Sequence, residues 1–78
     1  MFARGTITEP GALAQYVEDE IRLVGELKAD GVIKAAAGPG VYLLLEGTSI
    51  DAVRERMNTL PFLAEGLMTL EYDEIYEI

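Results

Sequence analysis

Apolar positions along the chain follow two periods, and the changes between them mark out the elements. Within residues 11–30, Leu13, Val17, Ile21, Val24 and Leu27 recur at spacings of four, four, three and three with no internal proline. That is the period of a helix with one buried side, and Gly31 follows it as a candidate C-terminal cap. Ahead of it, residues 2–8 are short and partly β-branched. They stop at Glu9-Pro10-Gly11, which suits a strand end leading into a helix start. Residues 32–37 and 41–46 are two apolar runs joined by Gly38-Pro39-Gly40, which predicts a hairpin. A second helix is expected from about Thr48-Ser49. Thr48 and Asp51 have capping-box spacing, Ile50, Val53, Met57 and Leu60 form its stripe, and Pro61 is expected to end it. In residues 67–78, Met68, Leu70 and Tyr72 alternate with Thr69, Glu71 and Asp73, the pattern of a half-buried strand with an acidic end.

The resulting order, βαββαβ, is the split βαβ pattern, so the expected class is α+β: a ferredoxin-like domain with a four-stranded antiparallel sheet. Residues 1–78 read as one domain, without repeat or linker. Strand 3 departs from simple alternation, because Val41-Tyr42-Leu43-Leu44-Leu45 is apolar on both faces while two helices can cover only one. A second copy packing sheet on sheet across a two-fold axis is the economical cover, and it would enclose a cavity. Otherwise Tyr42 and Leu44 are simply half-exposed. A domain of this size buries only about 60 to 65% of its unfolded surface. With no cysteine to form a disulfide, oligomerisation is the expected further source of stability.

Charge narrows the partners. Fourteen Asp and Glu against 6 Lys and Arg give a net charge of −8, and the basic residues never cluster, which argues against nucleic acid and anionic membranes. The longest uncharged run, residues 35–45, is 11 residues long and contains Gly-Pro-Gly. A membrane helix needs about 20 apolar residues. The N-terminal residues lack the apolar core of a signal peptide and the chain lacks cysteine, so a cytoplasmic location is expected.

Histidine and cysteine are both absent, which removes the usual catalytic triads, His and Cys zinc sites, and haem ligation by those residues. Glu18-Asp19-Glu20 lies on a predicted helix where consecutive side chains diverge by about 100°, so the run cannot converge on one ion. Gly38-Pro39-Gly40 lacks the Lys-Ser/Thr of a phosphate loop and reads as a turn. No cofactor is expected.

Glu20 stands apart. On a helical wheel started at Leu13, Val24 falls at about 20°, Val17 at about 40°, Leu27 at about −40° and Tyr16 at about −60°, with Glu20 in mid-stripe at about −20°. A carboxyl among apolar groups is costly to ionise, so its pKa is expected to rise toward the range useful for proton transfer. The alternative is a Glu that bends to the helix edge or pairs with Arg4 or Lys34. Those two cations lie inside predicted strands, where each either protects a sheet edge or points into the inter-subunit cavity. Tyr42 combines a ring with a hydroxyl able to orient a ligand, and it would serve equally in a dimer interface. Arg54 and Arg56 read as outward, solubilising charges. Tyr72 and Tyr76 read as part of an interface or surface strand.

Two stretches, Val41-Tyr42-Leu43-Leu44-Leu45-Glu46 with Ser49-Ile50-Asp51-Ala52-Val53, and Leu60-Pro61-Phe62 after them, resemble the muconolactone isomerase family. The likeness extends back through Asp19-Glu20, Leu27 and Gly31 and covers roughly residues 19–75, with Leu-Pro followed by an apolar residue as its clearest mark. The resemblance implies subunits paired through their sheets as a dimeric α/β barrel, often assembled further. It also implies cofactor-free isomerisation of a small anionic or lactone metabolite, with Glu20 transferring a proton and Arg4 holding a carboxylate; Lys34 and Tyr42, by their own placement, are the candidate ligand-binding residues. Compared with that family the chain is short between strand 1 and helix 1 and at its C-terminus. The competing expectation is a non-catalytic ligand-binding or dimerisation module of the same fold.

Overall fold

The computed structural model describes residues 1–73. Four strands are present: β1 (Phe2–Ile7), β2 (Ile33–Ala37), β3 (Val41–Leu45) and β4 (Met68–Asp73). The helices are α1 (Val17–Ala29), α2 (Ile50–Met57) and the single turn α3 (Pro61–Ala64). The strands pair antiparallel throughout in the order β2-β3-β1-β4, which is the ferredoxin-like α+β arrangement expected from the sequence. The end of the acidic strand, including Tyr76, lies outside the described residues. Among the described residues no helix is long and apolar enough to cross a membrane.

The strands sort their side chains as the period of two requires. Ala3, Ile33, Leu45 and Met68 are buried, and Ala3, Ile33 and Leu45 join Leu27 of α1 and Val53 and Met57 of α2 in one core with Leu60. Phe2, Arg4, Tyr42, Glu71 and Asp73 alternate with these on the opposite, open face and are exposed.

Helix 1 is shorter and differently turned than its apolar spacing suggests. Two turns of 3-10 helix, Pro10–Ala12 and Ala14–Tyr16, precede it. The stripe facing the sheet centres on Glu20 and Leu27, with Leu23 and Val24 half-buried, while Val17 and Ile21 remain 39% and 67% exposed. Rotating the helix by part of a turn brings Leu23 inward and Ile21 outward, so the burial of Glu20 is kept and that of Ile21 is lost.

Helix α1 ends in a Schellman motif. Gly31 takes φ +78°, the N–H of Val32 bonds the carbonyl of Leu27 at 2.9 Å, and the N–H of Gly31 bonds that of Lys28 at 3.1 Å. The same motif closes α3 around Gly66 at φ +70°, with the Leu67 N–H bonding the Phe62 carbonyl at 2.9 Å and the Gly66 N–H that of Leu63 at 3.2 Å. Each glycine turns the chain directly into a strand.

Two local expectations need correction. The cap of α2 is Ser49 and not Thr48, since the Ser49 hydroxyl accepts the Ala52 N–H at 3.1 Å, one residue later than the capping-box spacing placed it. Pro61 does not terminate that helix either. α2 stops at Met57, and Pro61 begins α3, a first-turn position where its missing N–H is not needed.

Candidate functional site

A cavity of about 440 Å³ lies between α1 and the helix-covered face of the sheet. Its volume falls within the range of roughly 300 to 1,000 Å³ common for small-molecule sites. Glu20, Val24 and Lys28 form the α1 wall, Val41 and Leu43 belong to β3, and Phe62 is contributed by α3. Ala36, opposite Leu43 in the β2–β3 register, is too small to fill the space over it. The lining is therefore mostly aliphatic, with three ionisable side chains: Glu20, Lys28 and Lys34.

Glu20 is 8% exposed, and its Oε1 accepts the backbone N–H of Phe62 at 3.0 Å. Phe62 is the second residue of α3, so its N–H has no partner within that turn, and Glu20 supplies one across 42 residues of sequence. Burial pushes the Glu20 carboxyl above its ordinary value, and the Phe62 N–H pulls it part of the way back. Arg4 and Lys34 form salt bridges elsewhere, with Glu71 and Asp73 and with Glu46, so neither neutralises Glu20. Burial makes ionisation of this carboxyl less favourable than that of an exposed Glu, the direction that suits a group exchanging a proton with a bound molecule.

Lys34 reaches the cavity because β2 is irregular there. Ile33 pairs with Leu45 and Ala35 with Leu44, leaving Lys34 as the extra residue of a bulge, a device that redirects a side chain. Its Nζ lies 3.4 Å from Oε2 of Glu46. Lys28, in the last turn of α1, stands on the same wall and was not among the residues singled out from the sequence.

The other two candidates are elsewhere. Arg4 lies on the open face, with Nη2 3.0 Å from Oε2 of Glu71 and Nε 3.5 Å from Oδ2 of Asp73. Tyr42 is on the same face, 52% exposed, beside a shallow hollow of about 160 Å³ shared with Phe2, Ala35, Ala37 and Leu44. The sheet thus brings Glu20 and Lys34 together and separates both from Arg4 and Tyr42.

Tyr72 differs from the surface role its strand suggested. It packs against the core, its Oη is buried with no hydrogen-bond partner among the described residues, and the Arg54 guanidinium sits 5.0 Å above its ring. Burial raises the phenol pKa and the Arg54 charge opposes that rise. Tyr72 does not line the cavity. No group of three or more metal-ligating side chains converges among the described residues.

Comparison of the chain with protein-family models, curated proteins and solved structures gives no match.

Proposed function

We propose that this is a muconolactone isomerase-like protein whose cavity binds a small anionic or lactone metabolite and isomerises it by proton transfer, without a cofactor. One observation carries the reading: a buried carboxyl with a raised pKa lines an aliphatic cavity large enough for such a molecule. Ionised Glu20 removes a proton from carbon next to the substrate carbonyl, the electron pair moves into the conjugated system as an enolate, and the now protonated carboxyl of Glu20 returns the proton at a different carbon. One C–H bond breaks, another forms, and no electrons leave the substrate. Lys28 and Lys34, the two cations of the lining, supply positive charge for a substrate carboxylate. Arg4 is across the sheet from Glu20, so the anion-holding role passes to these lysines.

Deuterium uptake from D2O into a panel of unsaturated lactones and acids, followed by proton NMR, tests the proposal. Wild-type protein is expected to exchange at least one compound, and Glu20→Gln to slow that exchange by about 100-fold or more. Exchange at the wild-type rate in Glu20→Gln would exclude Glu20 as the proton carrier. Absence of exchange throughout the panel would favour the second reading.

That second reading is a non-catalytic ligand-binding or dimerisation module, and the bond from Phe62 N–H to Glu20 favours it, because it gives the carboxyl a structural task in tying α3 to α1. Gln retains the accepting oxygen and loses only the titrating proton, so the same variant separates the two.

Both readings include a homodimer or higher oligomer paired through the open sheet faces. Supporting it, Phe2 and Tyr42 leave half of their surface exposed there, next to half-buried Leu44.

A further inference from the structure

Among the described residues, every basic side chain except one has a carboxylate within salt-bridge distance. Arg4 pairs with Glu71 and Asp73, Arg22 with Asp19 and Glu26, Lys34 with Glu46, Arg54 with Asp51, and Arg56 with Asp30. Lys28 has no such partner among the described residues, in a chain where 14 acidic residues face 6 basic ones. It is also a side chain of the cavity wall.

Its place on that wall is set by the helix. Glu20, Val24 and Lys28 are spaced i, i+4 and i+8 along one ridge of α1, and all three line the cavity. Eight residues at about 1.5 Å each separate the backbone positions of Glu20 and Lys28 by about 12 Å along the helix axis. The wall therefore runs from a buried carboxyl, past an aliphatic middle, to an exposed cation with no carboxylate partner among the described residues. A small compact anion would engage one end and leave the aliphatic middle empty, whereas an elongated one fills it.

We propose that Lys28 is the anion anchor of this cavity and that the natural ligand is an elongated monocarboxylate, with its carboxylate at Lys28 and its apolar body along Val24 toward Glu20. The proposal rests on the reading of the cavity as a ligand site and adds the ligand's charge, shape and direction. Lys34 is the weaker anchor because Glu46 already holds its ammonium group.

Octanoate and octan-1-ol, equal in length and different in charge, are the probes. Binding to wild-type protein, Lys28→Gln and Lys34→Gln is measured by calorimetry and by amide shift changes at Val24, Leu43 and Phe62. Lys28 is exposed, so its replacement leaves the core untouched. Octanoate is expected to bind wild-type protein with shifts at those three residues, to lose about tenfold in affinity in Lys28→Gln, and to lose less in Lys34→Gln. Octan-1-ol is expected to bind more weakly and equally to all three proteins. Equal octanoate affinity in wild-type and Lys28→Gln overturns the anchor, as does octan-1-ol binding as tightly as octanoate, and so does failure of octanoate to bind at all. Deuterium exchange that persists in the lactone panel alongside any of these results leaves proton transfer by Glu20 standing and removes only the elongated, Lys28-anchored ligand.

Discussion

Leu44 and Leu45 are neighbours on β3, yet they face opposite sides of the sheet and opposite physical problems. Leu45 is 1% exposed within the core, roofed by the helices. Leu44 faces the open side, half-buried, beside Phe2, Ala35, Ala37 and Tyr42. The open side is itself divided. Around β2 and β3 it is apolar, while around β1 and β4 the Arg4, Glu71 and Asp73 charges cover it. The covered side, by contrast, is mostly apolar, with Glu20, Lys28 and Lys34 brought to it at the cavity and the Arg54 guanidinium lying over the Tyr72 ring. The proposed chemistry therefore sits where the covered side is incompletely filled. For the proposed pairing, the β2–β3 half of the open side is the better surface, because no ion pairs need to be desolvated there.

The largest effect should come from the pair itself. Leu45→Ala is expected to destabilise the protein by about 2 to 5 kcal/mol in urea unfolding, the range for a buried Leu leaving a cavity. Leu44→Ala should cost well under half of that in the monomer, and equal losses would erase the distinction between the two faces. Next comes Tyr42→Asp, which buries a charge only if a second copy covers it. Light scattering after size-exclusion chromatography, over micromolar concentrations, should give a dimer or a multiple of it for wild-type protein and a shift toward monomer for the variant. An interface aromatic of this kind is worth about 2 kcal/mol or more. A wild-type monomer at all concentrations would sink the barrel proposal.

How much of this was legible beforehand follows from the range of each interaction. The element order and the alternation of β4 are local patterns, and they predict the fold directly. Glu20 was legible for the same reason, since a wheel needs only the helix period. Its partner was not, because Phe62 is 42 residues away and becomes a donor only through α3, a single turn begun by Pro61, which the sequence marks only as a helix end. Lys28 could have been found by continuing the Glu20–Val24 ridge one step further, but a lysine near a helix C-terminus is ordinarily explained by the dipole alone. Arg4 and Lys34 looked equivalent as cations inside strands. The bulge in β2 and the pairing of β1 with β4, which sets Arg4 opposite Glu71, separate them, and neither is encoded in a single strand's period.

Glu20 probes the covered side through pH. Its folded pKa lies above the ordinary carboxyl value of 4.5 because burial disfavours the charge. The folded state then holds the proton more tightly than the unfolded one, so the stabilising contribution is full below the unfolded pKa and is lost as pH rises through the folded one. Glu20→Gln cannot ionise, and it should equal wild type at about pH 4 and exceed it at neutral pH. Glu20→Ala removes the acceptor of the Phe62 N–H and should cost about 1 to 3 kcal/mol. Thermal unfolding of the three proteins across pH checks both statements, and a Glu20→Gln curve parallel to wild type would show that burial does not govern this carboxyl.

Arg4→Gln should have the smallest effect and is informative for that reason. Its contacts with Glu71 and Asp73 are all on side chains more than half exposed, so water and salt screen them. Loss of an exposed pair is worth about 0.2 to 1 kcal/mol, and added salt should shrink that further. A measured loss of several kcal/mol that resists salt would mean that the charged half of the open face is desolvated in solution. The second copy would then cover β1 and β4 as well as β2 and β3. Repeating the unfolding below and above the concentration at which the chain pairs separates these cases: a constant small loss confines pairing to the apolar half, and a loss that grows with pairing extends it across the whole sheet.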